Sequence, residues 1–177
     1  YWRDWSSDVC SSDLGLLKLE HTKGKPAQVG FDLTLKSVNK IRSKLVPISE
    51  AKVGKVFKNK TELTNYTPIN TIDLDGVEGW LMHSGVYDIT FNEGCKLPDN
   101  RVAFIKQRSS LYRNGAIINS PVFDPGFETE FMGTLMYVHE NIFIEKDARV
   151  AQIYFHECET AELYNGQWQG DKQRNSL

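Results

Sequence analysis

Residues 31–36, FDLTLK, alternate between apolar and polar positions. Phe31, Leu33 and Leu35 face one way and Asp32, Thr34 and Lys36 the other, the pattern of a half-buried strand. Residues 86–92, VYDITFN, repeat it with Tyr87, Ile89 and Phe91 on the apolar side. Similar short runs predict strands at Arg101–Ile105, Ala116–Ile118, Phe131–Val138, Asn141–Ile144 and Arg149–Phe155. Gly94, Pro98-Asp99-Asn100, Asn114-Gly115, Pro125-Gly126 and Lys146-Asp147 punctuate them as turns. Many short strands at near-regular spacing predict an all-β sandwich or barrel. Residues 37–75 are more polar and less periodic, with room for an extra hairpin or an insertion. No internal repeat is evident, and no linker divides the chain into two domains. One short helix is expected at Ser110–Asn114, with Ser109 as N-cap and Gly115 as C-terminal stop.

Composition narrows the function classes. The 177 residues are 40% hydrophobic and 25% charged, as in a soluble globular domain. Twenty-one Lys and Arg against 23 Asp and Glu leave no basic footprint for nucleic acid. No apolar run approaches the roughly 18 residues of a membrane-spanning helix. Cys10, Cys95 and Cys158 are widely spaced, and only Cys158, with His156 beside it, has a metal-ligand neighbour. That is too little for a zinc site. Ordinary reduced cysteines of a cytoplasmic protein are the expectation. Residues 1–14 share no period with the rest. RDWSSDVCSSDL, at 3–14, resembles a translated sequencing adapter, so 1–14 are expected to be a non-native scar and 15–177 a single domain.

Two stretches carry candidate chemistry. At the expected helix start, Arg108, Ser109 and Ser110 would bring a guanidinium, two hydroxyls and free backbone N–H groups together, a donor set suited to phosphate. Taken alone, Ser-Ser before a helix is more often only a cap. Asp124 opens Asp-Pro-Gly, where turn chemistry alone favours a structural aspartate.

Five segments in order resemble the family of trimeric dUTP diphosphatases and dCTP deaminases. They are VGFDLTL (29–35), QRSSLYRNGA (107–116), VFDPGFETEF (122–131), KDARVAQIYF (146–155) and the tail LYNGQWQG (163–170). The resemblance implies a distorted jelly roll, the dUTPase-like β-clip barrel, assembled as a homotrimer with active sites shared between subunits. The sixteen positions from Arg108 to Asp124 and the Tyr-x-Gly-x-Trp-Gln-Gly tail are closest to the archaeal-type diphosphatases.

Within that family a deaminase carries a glutamate base ten positions after the Asp of Asp-Pro-Gly. Here that position is Thr134, whose hydroxyl is too weak a base. Glu130 would share its strand face but lie about 13 Å away. The resemblance therefore implies a dUTP diphosphatase that releases dUMP and pyrophosphate. Asp124 would activate water, Mg²⁺ would be held by the substrate phosphates, and Asp32 would act near the metal indirectly. Arg108, Ser109, Ser110, Arg113 and Gln152 would meet phosphate. Asn119, Val122 and Phe123 would read uracil, and Tyr164, Trp168 and Gln169 would close over the nucleotide. Arg113, Gln152, Asn119 and Asp32 each have a bland reading as well, as surface, strand or turn residues. Two alternatives stay open: a dCTP deaminase or bifunctional relative, and a non-catalytic nucleotide-binding protein on the same fold. Thr129 stands where the family usually has Gly after Asp-Pro-Gly-Phe-Glu. A β-branched residue there implies either a reshaped turn or a dispensable glycine.

Overall fold

The computed structural model describes residues 16–17, 24–27, 30–43, 64–159, 162–166 and 169–171. The segment read as a scar, residues 1–14, lies outside them, as does Trp168.

The strands in chain order are β1 (Leu16–Leu17), β2 (Phe31–Ser43), β3 (Thr64–Pro68), β4 (Ile72–Leu74), β5 (Val77–Met82), β6 (Gly85–Phe91) and β7 (Gly94–Lys96). After β8 (Arg101–Gln107) comes an α-helix, α1 (Ser109–Arg113). Then follow β9 (Ala116–Asn119), β10 (Glu128–Thr129), β11 (Gly133–Val138), β12 (Ile142–Glu145) and β13 (Arg149–Glu157). All strand pairings among the described residues are antiparallel. The main sheet runs β8-β13-β2-β6-β11-β9, with β3 added to the far end of β2. Its outer members β8 and β9 are consecutive in the chain and joined by α1, and Phe123 bridges to Ala103 along β8. The sheet is thereby a nearly closed barrel. Two further three-stranded sheets run β1-β7-β10 and β12-β5-β4.

The apolar faces expected from alternation form the core. Leu33, Leu35, Ile89, Phe91, Met132, Met136 and Ile153 are fully buried, together with Tyr87. Burial pushes the Tyr87 phenol above its ordinary value, and its hydroxyl donates to the His83 carbonyl at 2.6 Å. Gly30 has a steric reason to be glycine: a Cβ there would collide with the Ile153 carbonyl, so β2 could not reach β13.

Several expectations are corrected. β2 is not half-buried over residues 31–35, because its polar face is covered too, with Asp32 3% and Thr34 0% exposed. The alternation is right, but the polar side meets partners instead of water. Thr34 donates its N–H to Glu93 Oε2 at 2.9 Å and its hydroxyl to Oε1 at 2.7 Å. The helix begins one residue early. Arg108 is its N-cap, and Ser109 and Ser110 lie inside the first turn. The run from Phe131 to Val138 is not one strand, since β11 starts only at Gly133. Within residues 37–75, β2 continues to Ser43 and pairs with β3, and β4 forms a hairpin with β5 through Asp75-Gly76, both at positive φ. Thr129 needs no glycine: it sits in β10 opposite Cys95, outside the positive-φ residues, and its hydroxyl donates to the Phe131 carbonyl.

Glu93 is wholly buried and holds β2 through the Thr34 N–H. Removing it strands a buried donor and a hydroxyl, so Glu93→Ala should lower unfolding free energy by about 2–3 kcal/mol. Glu93→Gln, which keeps one acceptor, should lose less. Urea unfolding followed by tryptophan fluorescence measures both; equal, negligible losses would remove Glu93 from the fold's support.

Candidate functional site

Asp32 is the centre of the first cluster. Gln152 on β13 lies in register with Asp32 on β2 at one side and with Lys106 on β8 at the other, so all three point from the outer face of the sheet. Gln152 Nε2 donates to Asp32 Oδ1 at 3.0 Å. Arg149 Nη1 donates to Asp32 Oδ2 at 3.0 Å, and Arg108 Nη1 lies 3.3 Å from the same oxygen. The Asp32 side chain is 5% exposed, whereas those of Arg108 and Arg149 are 30% and 33% exposed. One buried negative charge therefore holds two cations that still open to solvent, leaving a local excess of positive charge and guanidinium N–H groups.

Arg108 also fixes the start of α1, its N–H donating to the Val150 carbonyl at 2.9 Å. Leu111 anchors the helix in the core, while Ser109 and Ser110 face out. Neither serine hydroxyl is engaged within the described residues, and the helix has no acidic residue in its first turn. Arg113 is exposed in the last turn, where its charge complements the helix carbonyls.

The second cluster is the hairpin around Asp124. Phe123 exchanges both backbone hydrogen bonds with Ala103, each 3.0 Å, and its ring is buried against Phe127 at a centroid distance of 5.5 Å. Its backbone groups and its ring are thus already engaged within the chain, whereas Val122 is 48% exposed. Asp124 is exposed at the head of a tight turn closed by Phe127 N–H to the Asp124 carbonyl at 3.0 Å. Gly126, at φ 78°, supplies the left-handed position of that turn. Asn119 ends β9 with its side chain exposed; its carbonyl accepts the Thr134 hydroxyl at 2.8 Å. Thr134 is 4% exposed, so this hydroxyl is a buried structural donor.

The tail folds back on the same turn. Tyr164 N–H donates to the Pro125 carbonyl at 2.8 Å, and its ring meets Phe127 edge-on at 5.2 Å. Gln169 bonds the backbone on both sides of Phe127, accepting from Glu128 N–H at 3.1 Å and donating to the Gly126 carbonyl at 2.8 Å.

Of the residues singled out from sequence, Asp32, Arg108 and Gln152 come together, with Ser109 and Ser110 following Arg108. Asp124, Phe123, Tyr164 and Gln169 form a separate group. Phe123 lies opposite Ala103, and the antiparallel run carries Asp124 away from Arg108, leaving them roughly 20 Å apart along β8. Arg149 is the residue that sequence reasoning missed. Three positions from Gln152, it should point to the opposite face of a regular strand. A register shift between Arg149 and Ala151 brings both side chains to Asp32.

No group of three His, Cys, Asp or Glu side chains suited to a metal occurs among the described residues, and both Asp32 oxygens are taken by Arg108, Arg149 and Gln152. The donor set suits an anion, and a hard cation would fit here only if the anion carried it.

Comparison with known proteins places the chain. A deoxyuridine 5'-triphosphate nucleotidohydrolase of Methanocaldococcus jannaschii is 36% identical over 135 residues, 68% of this chain and 83% of that protein. A probable deoxyuridine 5'-triphosphate nucleotidohydrolase of Halobacterium salinarum is 28% identical over 145 residues, 81% of this chain and 82% of its own length. Among solved structures, a 2'-deoxycytidine 5'-triphosphate deaminase from Agrobacterium tumefaciens overlaps with a TM-score of 0.49 at 18% identity, covering 82% of this chain and 44% of that one. The family described as dCTP deaminase-like matches residues 13–158. That match takes in the Asp32 cluster, α1 and the Asp124 hairpin, and the chain belongs to the dCTP deaminase-like family.

Proposed function

We propose that this protein hydrolyses dUTP to dUMP and pyrophosphate, as one domain from residue 15 onward, in a homotrimer whose sites are shared between chains. The observation that carries the choice of reaction is Thr134, buried and committed to the Asn119 carbonyl. It leaves no general base at the position where a deaminase needs one. Glu130 is exposed but displaced along the hairpin. The names of the archaeal relatives support the same reading.

In this reading Arg108, Ser109, Ser110 and the α1 N–H groups take the triphosphate oxygens, with Gln152 holding Asp32 in place beside them. The exposed Asp124 carboxylate orients a water and takes its proton as the oxygen attacks the α-phosphorus. The bond from that phosphorus to the bridging oxygen breaks, and pyrophosphate leaves with the bond's electron pair. Mg²⁺ bound with the phosphates would supply charge neutralisation for that leaving group. Asp32 would act near the metal only indirectly, by ordering the arginines that meet the phosphates. Uracil is read by the segment from Asn119 to Val122, with Tyr164 and the tail closing above. Arg113 serves the helix end and contributes little to phosphate binding.

The roughly 20 Å between Arg108 and Asp124 in one chain gives the shared site its physical reason: the phosphate cluster of one subunit meets the Asp124 hairpin of another.

Incubation of the protein with Mg²⁺ and either dUTP or dCTP should release pyrophosphate and dUMP from dUTP, and no ammonia from dCTP. Ammonia would mean that another group replaces the missing base. Asp124→Asn should lower kcat by about 10²–10⁴-fold with dUTP affinity nearly unchanged, read by product release and by calorimetric titration. Undiminished turnover would take Asp124 out of the chemistry. Arg108→Ala should also be inactive. Refolding it in equal amounts with Asp124→Asn should recover about a quarter of wild-type activity, since a shared site then draws both intact groups from two chains by chance. No recovery would mean that each chain's site is complete in itself.

A further inference from the structure

A carboxamide offers one acceptor and one donor group, and at Gln169 each has a partner on the hairpin that carries Asp124. Oε1 accepts from Glu128 N–H at 3.1 Å, and Nε2 donates to the Gly126 carbonyl at 2.8 Å. The two backbone groups flank Phe127 on one edge of the hairpin. Gln169 therefore pairs with that edge much as a neighbouring strand would. The rest of the tail reinforces the contact. Tyr164 N–H meets the Pro125 carbonyl, its ring packs on Phe127, and Leu163 lies directly over Gly126, where a Cβ would come within 3.0 Å of it. Phe127 in turn donates its N–H to the Asp124 carbonyl. Every residue of the turn from Pro125 to Glu128 is thus held by the tail of the same chain.

We infer that Gln169 is a positioning residue for Asp124: its side chain fixes the Asp-Pro-Gly turn and so the direction in which the Asp124 carboxylate presents to the attacking water. This rests on the dUTP-hydrolysis reading and changes the role that the family resemblance implies for Gln169, which is contact with the nucleotide. With the tail docked, both polar groups of the Gln169 side chain are spent on backbone. Tail and Asp124 then enter a shared site as one unit from one subunit, opposite the Arg108 cluster of another.

The test is Gln169→Ala in the full chain, with two readouts. Hydrogen exchange reads the bond itself, with no dependence on activity. The Glu128 amide should exchange roughly five- to tenfold faster in the variant, the loss expected for one hydrogen bond of modest net strength. Steady-state hydrolysis of dUTP reads the role. A positioning residue acts only in the transition state, so kcat should fall roughly tenfold while KM stays within about twofold. A raised KM with kcat retained would overturn the inference and return Gln169 to the nucleotide. Unchanged exchange at Glu128 would overturn it as well, because the bond would then not hold the turn. If the wild-type protein leaves dUTP intact, the dUTP reading fails and takes the catalytic role with it. The exchange measurement still decides whether the tail fixes the turn.

Discussion

A carboxylate withdrawn from water has to be answered by cations and hydrogen bonds, and Asp32 is answered three times. Leaving it buried without partners would cost several kcal/mol, and removing one partner of such a pair costs about 3–5 kcal/mol. The sheet avoids that cost by converging Arg108, between β8 and α1, and Arg149 and Gln152 of β13 on the start of β2. The convergence does more than neutralise a charge. It stops Arg108 from sweeping freely and sets its guanidinium at the entrance to α1, beside two serines whose hydroxyls are unengaged among the described residues. Long flexible side chains lose much rotamer entropy when they bind a ligand. Arg108 and Arg149 have already lost part of it to Asp32, so an anion arriving there meets donors that are partly ordered in advance.

The same sheet that gathers the cations keeps Asp124 away from them. β8 acts as a spacer: Arg108 leaves from one end, while the Phe123 bridge ties the Asp124 turn near the other. Two features make this separation rigid. Phe123 exchanges a pair of backbone hydrogen bonds with Ala103, donating one and accepting the other, and its ring is buried. No local rearrangement short of breaking that pair moves Asp124 toward Arg108. In the proposed reaction, chemistry that needs both groups on one small substrate would draw on a second chain, whose hairpin would have to arrive at the outer face of the sheet near Gln152, Lys106 and Arg108.

Much of this was legible in the chain. Alternation at Phe31–Leu35 and Tyr87–Phe91 located the two central strands, and the Arg-Ser-Ser and Asp-Pro-Gly segments marked the two clusters. What alternation could not reveal is the fate of the polar side of a strand. Asp32 and Thr34 look solvated because they are polar, yet both are buried, since partners far along the chain cover them. Arg149 escaped notice for a related reason. A one-residue register shift turns its side chain onto Gln152's face, and nothing local in the sequence fixes where a ladder slips. The β4–β5 hairpin had a readable signal in Asp75-Gly76, a pair suited to two successive positive φ values, but the weak periodicity around it hid the strands. Thr129 worked in the other direction: the glycine that the family usually has there is not required by this backbone.

The tail's hold on the hairpin follows from how little strand lies beyond the turn. β10 is two residues long and pairs with β7, so Gly126 and Glu128 would otherwise present an unpaired carbonyl and N–H at the edge. Backbone groups in that position need water or a partner. Water would leave the turn mobile, and with it the carboxylate at its head. A glutamine side chain satisfies both groups at once without extending the sheet, so it covers the edge and offers no new edge to another chain. Gln169 precedes Gly170, which adopts φ 68°, so the backbone can turn sharply directly after it. The aromatic contacts of Tyr164 hold the tail in place, and the carboxamide of Gln169 fixes its register on the hairpin. That division between adhesive apolar surface and directional hydrogen bonds is the same one that builds the barrel beneath it.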